Sequence, residues 1–528
     1  MVPLPDRSVT WPPAETDRPR ALYDAWGAWY SGDPDQLSAY YGGGGGHNRL
    51  SPQPRPSQYR GGVVGSVARW FWGTPPDPEQ LPNRLHIPLA SDISSTNADL
   101  LFGEPPAFVV EDTTTQERLD WLMVEGGYHA ALLEAAEIAS AYGGVYLRAS
   151  WDVDLVKHPI VDAIAPDCAA PEWRAGRLTA VTLWKVLEET DDNRVLRHLE
   201  RHEKGRVYHG LYEGNRDSLG RKLPLADNPA TAGFRVESDG GIATGATGLA
   251  VVYIPNMRPH RIIRGTPLGR SDYAGVEHIF DSLDQTWSSL VRDIELGQAR
   301  LIVPDSFLDT HGRGQRATFS MERKVFTPVT GLQGANERFG DMITQVQFAI
   351  RVDEHLAAAA ALTEQAVRGG GFSAQTFGES KDLAITATEV QHRERRSFST
   401  RRRKIGYANP EVAGFTETVL EMDAKKFSSG VTPQRPTIEW PDGVQDAPEA
   451  TARTVELLTR ARAASDEVKV RIVHPDWDDT QVLEEVAKIQ DENPVVDPMV
   501  SAGLVGGQDL GDDEGADEES SAPERPRE

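Results

Sequence analysis

Residues 271–304 of the chain read SDYAGVEHIFDSLDQTWSSLVRDIELGQARLIVP, and this stretch decides the fold. It has no proline before Pro304, and its apolar side chains recur at steps of three and four residues, which places them on one stripe of a helix. A helix from Ser271 to Ala299 would be roughly 43 Å long at 1.5 Å per residue, so it needs a long surface to cover that stripe. The stripe residues are Val276, Ile279, Phe280, Leu283, Trp287, Leu290, Val291 and Ile294.

The bulk composition limits the classes of function. The 528 residues and 39% hydrophobic content predict about two to four structural units with buried cores. A net charge of −25 argues against general nucleic-acid binding and against binding to anionic lipid, since both depend on basic residues. No run approaches the ~18–20 apolar residues of a membrane span. Cys168 is the only cysteine, which favours a reducing cytosol and excludes a disulfide framework.

The residues before this helix predict helices followed by a sheet. A helical stretch over about 117–141 runs into a strand at GVYLRASW, residues 144–151. Residues 158–265 alternate short β-like runs with Gly, Asn and Asp turns, which is typical of a meandering mixed sheet. Residues 1–60, with five glycines at 42–46, are expected to be flexible.

The residues after this helix return to helix, so the chain as a whole is predicted to be α+β. Residues 337–367 favour a second long helix, and 368–383 a Gly-rich loop. A third long helix begins near Ala384, with an interruption expected at Pro410. Two short amphipathic helices follow, and the acidic residues 506–528 are expected to be a disordered tail.

The sequence contains few patterns that carry chemistry. His198 and His202 lie four residues apart in a charged segment, where a solvated face is favoured over a helical metal-ligand pair. His474, Asp476 and Asp478 resemble part of a calcium loop, but a helix N-cap explains the aspartates better. Gly312, Gly314 and Ala317 match a loose dinucleotide fingerprint without the helix that must follow it. We therefore predict no catalytic residue, no cofactor and no metal.

One stretch is strongly basic, with seven Arg or Lys residues between Gln391 and Lys404 against a single acid, Glu394. The favoured interpretation is a solvated helix face paired with the acidic remainder of the protein. The alternative is a local contact with phosphate or with an acidic neighbouring subunit. The seven residues are Arg393, Arg395, Arg396, Arg401, Arg402, Arg403 and Lys404.

The order of these pieces resembles the portal (head-to-tail connector) proteins of tailed bacteriophages, most of all those of long-tailed phages of actinobacteria. Four segments carry the resemblance: NADLLFGEPPAF at 97–108, GRSDYAGVEHIFDSLDQTWSSLVRDIE at 269–295, AITATEVQHRERRS at 384–397 and SDEVKVRIVHPDWDDTQVLEEVAKIQDE at 465–492. The resemblance covers roughly residues 60–500. No single motif is diagnostic, and the succession of segments is the informative signal.

The resemblance implies a portal-protein fold with a mixed α/β wing, a long α-helical stem, a small β-rich clip and a helical crown. The acidic tail at 501–528 has no required counterpart, and the glycine run at 42–46 is not part of the resemblance. The implied regions are the wing at 61–265, the first stem helix at 266–298, the clip at 299–337, the second stem helix at 338–367, the tunnel loop at 368–383, a long kinked wing helix and strand at 384–445, and the crown at 446–500.

The resemblance also implies a structural, non-enzymatic function. Twelve subunits would form a ring at one capsid vertex, through which double-stranded DNA is packaged and ejected. The implied partners are copies of the chain, the major capsid protein, the terminase large subunit, a head-tail adaptor and the passing DNA, without a membrane. The protein would be located in the virion after assembly in the host cytoplasm. The alternative is a metal-dependent hydrolase built on His474, Asp476 and Asp478.

Within such a ring, the stripe would pack against the second stem helix and neighbouring copies, since a contact repeated by rotation closes into a ring. The opposite helix face, with Asp281, Asp284, Asp293 and Glu295, would give the channel or the exterior an acidic lining. The tunnel loop would touch the DNA backbone, with a Gly370–Gly371 hinge. Its named residues are Arg368, Gly369, Gly370, Gly371, Gln375 and Lys381.

Overall fold

The computed structural model describes residues 4–38, 40, 85–190, 193–237, 240–296, 300–304, 326–329, 344–346, 351–378, 387–441, 448–461, 463–474, 477 and 479–492. The chain divides into two compact units, Met1–Gly443 and Val444–Glu528. The described part is α+β, as the sequence predicts. None of its helices is both long enough and apolar enough to cross a membrane.

The first unit begins with helices. Asp112 begins one of them, because its side chain accepts a hydrogen bond from the Thr115 backbone N–H at 2.9 Å. That helix and the next are separate, although the sequence predicts one helix over 117–141, because Gly127 has a left-handed backbone with φ of 75°. The elements are α1 (Asp17–Ser31), α2 (Pro34–Ser38), α3 (Leu89–Phe102), β1 (Ala107–Val109), α4 (Thr113–Val124) and α5 (Tyr128–Tyr142).

Two antiparallel sheets follow in the region where the sequence predicts a meander. One has the order β10-β2-β3, and the other has the order β4-β5-β6-β7-β8, with β9 paired to β7. All the pairings are antiparallel, so the prediction of a mixed sheet is wrong for the described residues of this region. The strands are β2 (Gly144–Ser150), β3 (Ile160–Ile164), β4 (Ala169–Arg174), β5 (Arg177–Glu189), β6 (Val195–Glu203), β7 (Arg206–Asn215), β8 (Ser218–Leu223), β9 (Gly241–Ala243) and β10 (Val251–Pro255).

The remainder of the first unit contains the long helices and a small sheet of order β12-β11-β13. The elements are α6 (Glu277–Leu296), β11 (Arg300–Pro304), β12 (Phe326–Val329), β13 (Thr344–Val346), α7 (Val352–Gly370), α8 (Ala387–Lys426) and β14 (Thr437–Glu439), the last paired with β1.

The long helices differ from the sequence prediction at their ends. The helix α6 begins at Glu277 rather than at Ser271, because the Ser271 hydroxyl donates to the Ser140 carbonyl instead of capping a helix. The helix α7 begins at Val352 rather than near 338, and β13 occupies part of the predicted helix, where Thr344 pairs with Ile302 of β11. The prediction of a helix from 338 is therefore wrong for residues 344–346 and for Arg351, and the other residues before Val352 lie outside the described residues.

The interruption expected at Pro410 is also wrong, because Pro410 lies inside α8, which is one continuous helix of 40 residues. The Pro410 carbonyl accepts a hydrogen bond from Arg435 Nη2 at 2.7 Å, which ties the outer side of this turn to the segment before β14.

Two large cores hold the first unit together. In the first, α8 packs on α5 and β2 through Phe415, Leu420 and Leu147. The second joins α1, α3, α6 and α7 around Trp26 and Ile93, both fully buried. The helix α1 lies in the segment that the sequence predicts to be flexible, so that prediction is wrong for residues 4–38. The glycine run at 42–46 lies outside the described residues.

The second unit contains three helices in its described part, α9 (Pro448–Ala461), α10 (Asp466–Val473) and α11 (Asp479–Glu492). The sequence predicts only the first and last. Ser465 caps α10 by accepting from the Val468 backbone N–H at 3.4 Å. The acidic tail at 501–528 lies outside the described residues.

Candidate functional site

The stripe on α6 is covered mainly by the chain itself. Val276, Phe280, Leu283 and Leu290 are buried, and Ile279 and Trp287 pack at the edge of the same core. The covering side chains come from α1, α3 and α7; the Trp29 ring, for example, lies 5.6 Å from the Phe280 ring. As expected, α7 forms part of this cover, and α1 and α3 add a cover within the chain that the sequence did not indicate. The contact of the stripe with neighbouring copies stays a prediction.

The far end of α6 is different. Val291 and Ile294 are 43% and 47% exposed, and on α7 Val352 and Leu356 are 40% and 44% exposed. The two helices run antiparallel, because His355 of α7 meets Asp293 of α6 at 3.1 Å whereas Gly369 lies against Val276. These four apolar side chains lie on neighbouring helix ends, and we call them the distal apolar patch.

The acidic residues of α6 do not form one exposed row. Asp284 is fully buried, where it accepts from the Ile87 backbone N–H at 2.9 Å and contacts His86 Nδ1 at 2.9 Å. Its predicted place on a channel or exterior face is therefore wrong. Asp293 bonds to His355, which together with Arg351 holds the pKa of Asp293 below its usual range. Asp281 is half-buried, and the Glu295 side chain lies outside the described residues.

The predicted tunnel loop begins later than expected. Arg368, Gly369 and Gly370 form the last turn of α7, which ends at Gly371 with φ of 94°. A Cβ at position 369 would lie 2.3 Å from Val276 Cγ1, so this glycine permits close packing of α7 on α6. The predicted hinge at Gly370 is thus wrong, since Gly370 is buried within the helix.

The remaining loop residues are only partly described. Gln375 lies in a short 3₁₀ helix, Ala374–Phe377. The exposed Arg368 pairs with Glu364 at 3.0 Å. Lys381 lies outside the described residues.

The basic stretch of α8 does not form a single face. Lys404 is 3% exposed, and Nζ lies 2.5 Å from Asp272 Oδ2 and 2.5 Å from Asn97 Oδ1. Arg401 donates to the carbonyl of Leu100 at 2.6 Å, and Arg396 to that of Arg368 at 2.6 Å. The interpretation as a solvated face is therefore wrong for the buried Lys404, whereas Arg401 is half-buried and Arg396 is exposed. Arg395, Arg402 and Arg403 are exposed, and the Arg393 side chain lies outside the described residues.

Asp272 is the centre of a buried polar network that the sequence did not reveal. Besides Lys404, it accepts from the Ser140 hydroxyl at 2.6 Å and from Asn256 Nδ2 at 2.9 Å. Burial lowers the pKa of Lys404, and the Asp272 carboxylate opposes that shift. The network joins α3, α5, α8 and the segment before α6. No local pattern could have found it, because its members are distant in sequence.

His198 and His202 lie on the strand β6, where His202 is buried and His198 is half-buried, so the prediction of a solvated helix face is wrong. His202 Nε2 lies 2.6 Å from Glu200 Oε1, and His198 Nε2 lies 3.2 Å from His209 Nδ1 on β7. Arg148 donates to Glu200 at 2.7 Å. Burial lowers the pKa of His198, and lowers that of His209 to about 4, so both rings are neutral at pH 7.

The metal hypothesis receives no support from the described residues, among which no group of three or more His, Cys, Asp or Glu side chains is arranged to hold an ion. The His474 ring stacks on Trp477 with centroids 3.8 Å apart, whereas Asp476 and Asp478 lie outside the described residues. Gly312, Gly314 and Ala317 also lie outside them. Burial raises the pKa of Cys168 to about 12, which keeps it a thiol.

Among the comparisons with known proteins, only the comparison with solved structures finds matches. No family model matches the chain, and no curated protein matches it. The neck of the native gene transfer agent (GTA) particle, computed with C12 symmetry, is similar at 12% identity and TM-score 0.37, covering 74% of this chain and 90% of that one. The virion of the native particle matches at 12% identity and TM-score 0.36, covering 78% and 99%. The neck of the empty particle, computed with C6 symmetry, matches at 12% and 0.38, covering 75% and 94%.

Proposed function

We propose that the chain is a portal subunit, a structural protein that assembles into a ring, with twelve copies expected, at one vertex of a phage capsid. The observation that carries the proposal is the α6–α7 helix pair with its distal apolar patch. The near end of this pair is fixed in the core by Phe280 and Leu283, whereas the far end leaves four aliphatic side chains in solvent. A cluster of exposed apolar residues on a charged protein is typical of an interaction surface.

The geometry of such a contact supports the proposal of a ring. A patch on two neighbouring helix ends does not have to bind the same patch on another copy. It can instead bind a different surface of the next copy. A contact of that kind, repeated by rotation, closes into a ring around a channel. The helix pairs of successive subunits would then form the channel wall.

The charge of the chain is compatible with a DNA channel. At −25, the protein lacks the basic excess that gives tight binding to DNA through the release of counterions. Double-stranded DNA could therefore pass during packaging and ejection without being held. Terminase, the major capsid protein and a head-tail adaptor are the proposed partners, with the virion as the location and no enzymatic activity in this chain.

The proposal is tested by assembly. We expect the purified full-length protein to form rings with a central hole in negative-stain electron microscopy. Replacing Val291 and Ile294 together by Asp should abolish the rings while the circular dichroism spectrum remains that of a folded subunit, because both side chains are already exposed and only the contact between copies is lost.

The matched control is Leu155→Asp. Leu155 is also an exposed aliphatic residue of the first unit, 73% exposed, but it lies on the turn after β2. Rings should persist in this variant. A wild-type protein that stays monomeric at all salt concentrations would contradict the proposed function, and rings that persist in the Val291 and Ile294 variant would contradict the assignment of the patch.

A further inference from the structure

A second feature of the first unit is a group of arginines on the segment 256–270, between β10 and α6. Met257 and Arg270 pair across the two ends of this segment, with the Arg270 backbone N–H donating to the Met257 carbonyl at 3.0 Å. The ends are thereby held together, and the segment forms a closed loop. It carries Arg258, Arg261, Arg264 and Arg270.

The helix α8 brings a further arginine to the same place. The Tyr407 hydroxyl donates to the Arg258 carbonyl at 3.3 Å, and Lys404 pairs with Asp272, two residues beyond Arg270. Arg403 lies one helical turn before Tyr407 and therefore shares its face of α8. We call Arg258, Arg261, Arg270 and Arg403 the arginine cluster.

Arg270 is the most confined member of the cluster. It is 8% exposed, and its buried Nε has no hydrogen-bond partner among the described residues. The buried Nε of the half-buried Arg258 is likewise without one in this part of the chain. Burial lowers the pKa of Arg270, and the positive charges of Arg261 and Arg403 lower it further. Positive charge is thus concentrated around a desolvated guanidinium.

The local carboxylate does not neutralise this charge. The Asp272 carboxylate opposes the lowering of the pKa of Arg270. Its oxygens, however, already accept hydrogen bonds from Lys404, Ser140 and Asn256. A buried cation is unfavourable unless it is paired with an anion that also satisfies its hydrogen-bond donors. The cluster therefore retains donors and charge that favour an anion from outside the chain.

The backbone beneath the cluster is fixed. A Cβ at Gly269 would lie 2.1 Å from the Gly143 carbonyl oxygen, so the segment approaches the end of α5 as closely as glycine permits. The Gly269 backbone N–H also donates to the Tyr253 hydroxyl at 3.0 Å. The backbone next to Arg270 is therefore fixed before a ligand binds. This favours binding, because little conformational entropy of the chain is lost on binding.

We propose that the arginine cluster binds a compact, multiply charged oxyanion of the phosphate type. Guanidinium groups offer only donors, in a planar fork that matches phosphate oxygens. A phosphate dianion compensates several neighbouring cations better than one carboxylate does. Duplex DNA is less favoured, since it needs a long basic track and the chain as a whole carries −25. This inference goes beyond the proposed function and does not depend on ring formation.

The test is the thermal stability of the full-length protein in sodium phosphate, compared with sodium chloride at equal ionic strength. The wild type should unfold several degrees higher in phosphate. Arg261→Gln and Arg403→Gln should each lose most of that shift; both side chains are exposed, so these variants should fold. Arg270→Gln should lose it entirely. The matched control is Arg402→Gln, an exposed neighbour on α8 outside the cluster, which should keep the full shift.

Three results would overturn the inference. The first is an equal melting temperature of the wild type in phosphate and chloride. The second is a phosphate shift that Arg261→Gln and Arg403→Gln retain in full. The third is an Arg261-dependent interaction with a duplex oligonucleotide or an Asp/Glu-rich peptide while inorganic phosphate has no effect, which would assign the cluster to a macromolecule. Each outcome is independent of whether rings form.

Discussion

At the scale of single residues, the buried pair of Lys404 and Asp272 links distant parts of the first unit. The two side chains join elements that are 132 residues apart in sequence. Such a pair does not have to add stability as a whole, because both charges lose their hydration on burial. Removal of one partner, however, leaves the other charge buried and unpaired.

This predicts unequal costs for two variants of α8. Lys404→Ala should lower the free energy of unfolding by about 3–5 kcal/mol, since Asp272 then keeps an uncompensated charge. Arg402→Ala, on the exposed side, should change it by less than about 0.5 kcal/mol. Urea denaturation followed by circular dichroism measures both. Equal effects would show that the pair contributes no more than a surface residue.

A second prediction at this scale concerns pH and the face of β6 and β7. His209 has a pKa of about 4 when folded, below the ordinary value of about 6.5. Between these values the unfolded state binds more protons than the folded state, so stability is complete above about pH 6.5 and is lost as the pH falls toward 4. Burial alone would raise the pKa of Glu200, but His202 and Arg148 lower it below its usual range. Protonation of Glu200 therefore lowers the free energy of unfolding further, at still lower pH.

We therefore expect the free energy of unfolding to fall between pH 7 and pH 5, by on the order of 2 kcal/mol from His209. His209→Gln should reduce this dependence, whatever its effect at pH 7. The charged and titratable neighbours His198, His202, Glu200 and Arg148 remain in that variant, so the difference in slope belongs to His209. An unchanged slope would contradict the assignment.

At the scale of elements, the packing of α7 on α6 depends on a glycine. Gly369→Ala would place a Cβ 2.3 Å from Val276 Cγ1, so the helices must separate or the valine must move. We expect a loss of about 1–3 kcal/mol in the free energy of unfolding, as for other overpacked sites. Gly406→Ala in α8 meets nothing within 4 Å and should stabilise by about 0.5–1 kcal/mol. Chemical denaturation distinguishes the two signs.

The sequence predicts elements well where local periodicity is enough. The helix at 277–296 lies within the predicted range of 271–299, and the strands of the meander appear in the predicted region. The start of α7 could not be predicted, since β13 exists only through pairing with β11. The predicted interruption at Pro410 is also wrong. The free-energy cost of one missing backbone hydrogen-bond donor is small compared with the packing energy of a 40-residue helix.

At the scale of the whole molecule, the sequence underestimates how much the chain buries by itself. The stripe on α6 has the periodicity that predicts a packed face, but periodicity does not say which segment covers it. The residues Trp26 and Trp29 of α1, in a segment rich in Pro and Gly, provide that cover. Only Val291 and Ile294 at the far end of the stripe remain exposed enough for neighbouring copies.

The length of α8 has a mechanical consequence. At 1.5 Å per residue, its 40 residues make a beam roughly 60 Å long, which is pinned at Lys404. On one side of that pin Thr400 bonds to Gly371 at the end of α7, and at the carboxyl end of the helix Lys426 bonds to Ala243 of β9. Pivoting of a rigid lever about that pin by about 5° would displace its carboxyl end by roughly 3 Å. A displacement of α7 would then be transmitted along α8 to β9 of the large sheet.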